Sequence, residues 1–264
     1  MKIIAIMNLK GGVAKTVTTV NLAAILARDY EQTVLVIDAD SQANSTEFLG
    51  GGREGHSLAG LLRLPKVERT GFSASLAAAQ TICSSTVKGV DLLPADDSLM
   101  DLDLSKAEAG DAWVDCLRVL KRAGGMDEYN TVLIDCPPAF NAAAAAALLA
   151  ADQVLIPIKL DAFSLRGLTN LMRQIRNMQQ LNPELQILGI LPTMWRRSEE
   201  AEDAALAIRL EGLPLLPRVR FSATVDRMTY QQRPLTESSP KSGALRDYRT
   251  VAARIVKGGV DNGL

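Results

Sequence analysis

The chain is poor in histidine, cysteine and aromatic residues. Among its 264 residues His56 is the only histidine, and the three cysteines, Cys83, Cys116 and Cys136, lie far apart with no C-x-x-C pair. A Cys/His zinc site therefore lacks ligands, and a disulfide framework lacks support. A mechanism that needs a histidine base has His56 or nothing. Aromatics make up 4% of the chain and do not interleave with basic residues, so no stacking platform for single-stranded nucleic acid is visible. No apolar run reaches the roughly 18 residues that span a bilayer. The longest, from Ala142 to Ala151, is mostly alanine and ends at Asp152. The apolar stretch that ends at Met7 is too short for a signal peptide, and a cytoplasmic, soluble protein is expected. Charge of one sign is missing too: 29 Lys and Arg face 30 Asp and Glu. That excludes a bulk basic coat for nucleic acid, though not a local patch.

What is present is globular. Hydrophobic residues are 47% and charged residues 22%, enough to bury a sizeable core. Strand-like apolar runs at Ile3–Met7, Thr33–Ile37, Val90–Leu93, Thr131–Ile134, Gln153–Ile158 and Leu185–Leu191 alternate with helix-period segments at 15–28, 98–123, 140–150, 164–180 and 200–210. Continuous apolar strands separated by helices predict a doubly wound, mostly parallel sheet with helices on both faces. Chemistry is then expected at the carboxyl ends of the strands. Residues 1–264 read as one domain, with 45–90, the least regular part, as surface loops and short helices. The alanines at 142–147 read as a tightly packed helix behind Pro137-Pro138.

After the first strand the chain reads Asn8-Leu9-Lys10-Gly11-Gly12-Val13-Ala14-Lys15-Thr16-Val17. A glycine-rich turn between a strand and a helix N-terminus aims backbone N–H groups at one spot and suits phosphate. Lys15 is placed to reach β- and γ-phosphates, and the Thr16 hydroxyl to meet Mg²⁺. The strand Thr33–Ile37 runs into Asp38-Ala39-Asp40-Ser41-Gln42-Ala43-Asn44-Ser45-Thr46. Two carboxylates at i and i+2 leave the strand on one side, one able to support the waters of Mg²⁺ and the other to orient an attacking water. The run from Thr131 to Pro138 is a third apolar strand that ends in an acid, Asp135, suited to hold Mg²⁺ through water. Cys136 beside it reads as a packed thiol.

The string K-G-G-V-x-K-T resembles the deviant Walker A motif of the ParA/MinD group of P-loop ATPases. By that resemblance Lys10 reaches the phosphates of a partner across an ATP sandwich dimer. D-A-D-S-Q-A-N-S-T resembles the ParA signature, with Ser41 for proline, and this makes Asp40 the residue that positions the hydrolytic water. I-D-C-P-P is similar to the family's I-D-x-P-P. Leu92–Asp96, Ala151–Pro157, Gly167-Leu168, Gly189–Met194 and Leu216–Arg220 carry the likeness almost to Val256, in the short form without an N-terminal helix-turn-helix. The implied cofactors are ATP and Mg²⁺, bound over residues 10–17 with the base near Pro217 and Val219. Two departures stand out: Ala14 where the family has glycine, and Val17 where it has threonine. If position 14 has φ > 0, alanine there costs about 1 kcal/mol.

Charge separates the branches of the group. Residues 217–257 hold nine Lys/Arg and three Asp/Glu, so the rest of the chain is net acidic. A basic patch on a neutral protein suits contact with the phosphate backbone of DNA without sequence readout. Arg196, Arg197, Arg218, Arg220, Arg246 and Arg249 are the candidates. The resemblance then implies a nucleoid-associated ATPase of partition, working with a ParB-like partner. A MinD-like membrane regulator is the alternative, since Leu245, Tyr248, Val251, Ala252, Ile255 and Val256 form an apolar stripe at helical spacing. The stripe lacks Phe and Trp, so a helix packed on the sheet is expected and no stable membrane association. A reductase-type relative with a shared iron–sulfur cluster would need two well-placed cysteines, which the sequence does not offer.

Overall fold

A computed structural model describes residues 1–51, 56–63, 80–100, 129–161 and 164–257. Cys116, the Ser/Ala-rich stretch 72–79, most of the helix expected at 98–123 and the tail after Lys257 lie outside the described residues. Among the described residues seven strands form one sheet: β1 (Lys2–Ile6), β2 (Val34–Asp38), β3 (Cys83–Ser84), β4 (Val90–Leu93), β5 (Thr131–Asp135), β6 (Gln153–Ile158) and β7 (Gln186–Pro192). Their order is β3-β4-β2-β5-β1-β6-β7. All pairings are parallel except β3 with β4. The two-residue β3, which has no apolar run of its own, is the strand that the sequence does not reveal.

The sheet is covered on both faces, as the apolar runs require. Along β1, Ile3 and Ala5, with Met7 just after it, join one hydrophobic cluster and Ile4 and Ile6 the other, because successive side chains leave a strand on opposite sides. The first cluster is covered by α4 (Ala142–Ala150), α5 (Ser164–Leu181) and part of α6 (Glu199–Leu210). The second holds α1 (Lys15–Asp29) and α9 (Gly243–Lys257). Asn141 caps α4, its Oδ1 accepting from the Ala144 N–H at 3.0 Å. The small α2 (Asn44–Phe48), α3 (Leu58–Leu62), α7 (Ala223–Gln231) and α8 (Leu235–Ser238) complete the helices described.

The C-terminal stripe faces inward. Leu245, Tyr248, Val251, Ala252 and Ile255 of α9 are buried, and the Tyr248 hydroxyl meets that of Thr18 on α1 at 3.2 Å. Val256, placed on the stripe by its spacing, is 39% exposed and faces out. No helix among the described residues is long and apolar enough to cross a membrane.

Candidate nucleotide site

Register builds the site. β5 lies between β1 and β2, with Asp135 opposite both Ile6 and Asp38. The loop after β1, the acids after β2 and the acid of β5 therefore share the carboxyl edge of three adjacent strands. A cavity of about 410 Å³ opens there. Its walls include Gly11, Gly12, Ala14, Lys15, Thr16 and Val17 from the loop, Asp40 and Asn44 after β2, and Pro138 after β5.

The loop is an anion receptor made of backbone. The residue before α1, Ala14, has φ 65° and donates no side-chain cap, and the first turn holds no acid. The N-terminal N–H groups and the positive end of the helix dipole are thus left for a ligand. Gly12 needs glycine because its φ is +70°. Gly11 does not need it for its fold: a Cβ there would meet nothing within 4 Å. Its bareness keeps the mouth open for close approach of a phosphate. Val13 is buried and faces away, while its carbonyl accepts from the Thr193 hydroxyl at 3.0 Å, tying the loop to the end of β7.

Lys15 is buried against the loop, its Nζ 3.4 Å from the Lys10 carbonyl. Burial holds its pKa below the usual lysine value, against the pull of Asp135 and Asp40. A cation so placed gains from an arriving polyanion. Asp135 accepts on Oδ2 from Thr16 Oγ1 at 2.7 Å and from Ser45 Oγ at 2.6 Å. Its other oxygen, Oδ1, is buried with no hydrogen-bond partner. Burial pushes the Asp135 pKa up, opposed by those two hydroxyls and by the Lys15 charge. An orphaned carboxylate oxygen beside a threonine hydroxyl suits a hard cation. Among the described residues no cluster of three or more His, Cys, Asp or Glu could hold a metal alone. Mg²⁺ here would thus depend on Thr16, Asp135, phosphate oxygens and waters, the mixed shell that this ion prefers.

Asp38, expected to support the cation, is held by the fold through both oxygens. Asp38 is fully buried; Oδ2 accepts from the N–H and hydroxyl of Thr46 at 2.8 and 2.9 Å, and Oδ1 from the Asp40 N–H at 3.1 Å. Burial first, then the neighbouring Asp135 charge, raises its pKa to about 7. Asp38 shapes the loop that carries Asp40 and starts α2. Asp40 itself lines the cavity, as the water-positioning role requires. Ser45 and Thr46, within the quoted string but given no role there, prove to be the hydroxyls that fix the two buried acids.

The fold also places the residues expected at the base and on DNA. Pro217 and Val219 do not line the cavity; Val219 is buried in the core, its N–H bonded to the Pro192 carbonyl at 2.7 Å. The C-terminal residues that do line it are Thr229 and Gln232, at the end of α7 and just after it, opposite Glu47 and Phe48. No sequence signal marked these four. The six arginines also fall into two sets. Arg220 is gripped by Asp247, with Nε at 2.7 Å from Oδ2 and Nη2 at 2.8 Å from Oδ1. Arg249 pairs with Asp29 at 2.7 Å, and Arg218 pairs with Glu202 at 3.0 Å while lying over the Trp195 ring. Arg196 stacks 3.9 Å from the Phe221 centroid. Arg196, Arg197 and Arg246 are exposed and have no carboxylate within ion-pair distance among the described residues.

A parallel sheet with a phosphate loop between β1 and α1, hydroxyl and acid at the strand ends, defines a P-loop nucleotide-binding protein. A family model described as an AAA domain (AAA_31) matches residues 1–187. The chromosome partitioning protein ParA of Caulobacter vibrioides is 35% identical over 215 residues, covering 79% of this chain and 76% of that protein. Apo McdA of Cyanothece superposes with a TM-score of 0.81 at 25% identity, covering 97% of this chain and 99% of that one. A cobyrinic acid a,c-diamide synthase of Mycobacterium smegmatis, solved with an ATP analogue and magnesium, superposes with a TM-score of 0.75 at 27% identity over 97% and 95% of the chains. The chain belongs to the ParA group of P-loop ATPases.

Proposed function

We propose that this chain is a Mg²⁺-dependent ATPase that forms an ATP sandwich dimer, binds DNA without sequence preference in that state, and drives partition of a plasmid or chromosome with a ParB-like partner. The observation that carries the reading is the division of labour between two lysines. Lys15 lies inside the cavity, whereas Lys10 does not line it and instead meets Asp161 at 2.6 Å. A lysine turned away from its own cavity yet anchored beside it suits delivery to a neighbouring copy. In the hydrolysis itself the protein supplies position and charge. Loop N–H groups and Lys15 would hold the β- and γ-phosphates, Asp40 would orient the water, and Thr16 and Asp135 would hold the cation. Mg²⁺ would neutralise charge that develops on the leaving and transferred oxygens. The exposed Arg196, Arg197 and Arg246 supply phosphate contacts on DNA and place the protein at the nucleoid. The membrane alternative has less support, because the apolar face of α9 is already inside the core.

Gel filtration with ATP and Mg²⁺, followed by DNA retardation on unrelated sequences, tests the proposal. An ATP-dependent dimer that retards both sequences alike is expected. A monomer throughout, or pelleting with liposomes in place of DNA binding, sinks it.

A further inference from the structure

Beyond its phosphate end, the cavity runs past Val17 to a second pair of walls. One wall is α2, which brings Glu47 and Phe48; the other is the end of α7, which brings Thr229 and Gln232. Each wall is tied to a different part of the site. α2 is pinned by Ser45 to Asp135 and by Thr46 to Asp38. α7 is pinned to α1 by the fully buried Asn21. The Asn21 amide donates to the Val17 carbonyl at 2.8 Å and lies 3.2 Å from the Met228 sulfur, and its Oδ1 accepts from the Leu235 N–H at 2.9 Å. Met228 is itself fully buried. The one side-chain hydrogen bond described between these walls runs from Gln232 Nε2 to Glu47 Oε1, at 2.7 Å. Gln232 holds this position in the left-handed region, with φ 47°.

Lys15, Thr16 and the N–H groups of the loop fix where the triphosphate goes, so the α2/α7 end is left for the nucleoside. A carboxylate is an acceptor only and takes hydroxyl donors well, and an amide that donates to one of its oxygens holds it in place. We infer that Glu47 accepts hydrogen bonds from the ribose hydroxyls of the bound nucleotide, and that Gln232 positions it from across the cleft. The inference rests on the nucleotide reading above. It makes α7, which no sequence signal announced, a wall of the nucleoside site, and it makes Glu47 a determinant of ribose over deoxyribose.

The test is isothermal titration of ATP and 2′,3′-dideoxy-ATP, each with Mg²⁺, into wild type, Glu47→Gln, Glu47→Ala, Gln232→Asn and Lys15→Ala. Asparagine tolerates the left-handed backbone at 232, and circular dichroism checks each fold. Wild type should prefer ATP by about tenfold, the worth of hydrogen bonds to a charged acceptor. Glu47→Gln and Glu47→Ala should lose most of that preference by weakening ATP alone, while dideoxy-ATP binds as before. Gln232→Asn should lose part of it. Equal affinities for the two nucleotides in wild type, or undiminished preference in both Glu47 variants, overturns the inference. Lys15→Ala separates the two levels: if it abolishes binding while the Glu47 variants discriminate like wild type, the nucleotide reading stands and the ribose role falls. If wild type binds neither nucleotide, both fall.

Discussion

The phosphate loop and the C-terminal basic region carry charge in opposite ways. In the loop, the chemistry-bearing groups are withdrawn from solvent and held by the fold: Lys15 and Asp135 are buried, and Asp135 keeps one oxygen unpaired. In the basic region the arginines are at the surface, and three of the four named there are already neutralised by Asp247, Asp29 and Glu202. A buried unpaired group is costly unless a ligand satisfies it, so its presence points to function. An exposed arginine costs little, and an exposed ion pair is worth little, so neither points far without a second observation. Gly243 shows what the paired set does. A Cβ at that position would come within 2.8 Å of Arg220 Nη1, so the start of α9 is shaped to receive that guanidinium. Arg220 joins the segment that runs beside Trp195 to Asp247 of α9.

The loop side of the comparison breaks first if Lys15→Ala still binds ATP. At 100 times Kd, ATP with Mg²⁺ should stabilise wild type by about 2.7 kcal/mol in a thermal-shift titration and leave Lys15→Ala unmoved. Equal shifts would remove the loop from the nucleotide. Asp40→Ala should keep ATP and the dimer but lose about 10²–10⁴-fold in partner-stimulated turnover. Unchanged turnover in a phosphate-release assay refutes the role of Asp40.

The basic side is sharpened by setting Arg197→Ala against Arg220→Ala. Arg197→Ala should flatten the slope of log K against log salt by about one unit, equally on unrelated DNA sequences. Arg220→Ala should lower the melting temperature with little change in that slope. The reverse pattern would hand the DNA contact to the paired set.

The inner face of α9 can be read by pH. Burial raises the Tyr248 pKa from 10.0 to about 12. The folded state then holds a proton that the unfolded state releases, so the contribution of Tyr248 to stability is constant below pH 10 and falls by up to about 3 kcal/mol as pH rises to 12. Tyr248→Phe should lose about 1 kcal/mol at neutral pH with the Thr18 hydrogen bond, and then show a flatter alkaline limb. Parallel limbs in urea titrations would contradict the burial of that hydroxyl.

The smallest effect concerns Ala14, whose φ of 65° is strained for any residue with a Cβ. Ala14→Gly should relieve about 1 kcal/mol, less the added entropy of the unfolded chain, and tighten ATP. Weaker nucleotide binding in the glycine variant would show that the loop has adapted to alanine.

Much of the fold was legible because its signals are local. Buried parallel strands read as apolar runs, and Val90–Leu93 and Gln153–Ile158 are found with the bounds expected. The loop 10–17 and the acids at 40 and 135 were legible for the same reason, since strand, turn and helix start are contiguous in the chain. Of Asp38 the spacing says only that it leaves the strand beside Asp40. Whether its oxygens face a cation or the hydroxyl of Thr46 depends on how α2 turns back. The ion pairs of the arginines were not legible, because a sequence lists charges without their partners, and the partners, Asp29 and Asp247, come from distant stretches.

The sequence by itself determined the alternation of strand and helix, the anion-receiving loop and the acids at the strand ends. Each of these follows from the periodicity, φ demands and charge of neighbouring residues. Only the tertiary structure decided which oxygen of Asp135 stays unpaired, which arginines are spoken for, and that Thr229 and Gln232 face Glu47 across the cavity. Those are meetings of residues 119 apart for Thr16 and Asp135 and 185 apart for Glu47 and Gln232. They exist only once the sheet has set its strand order and α1 has been packed against α8 and α9.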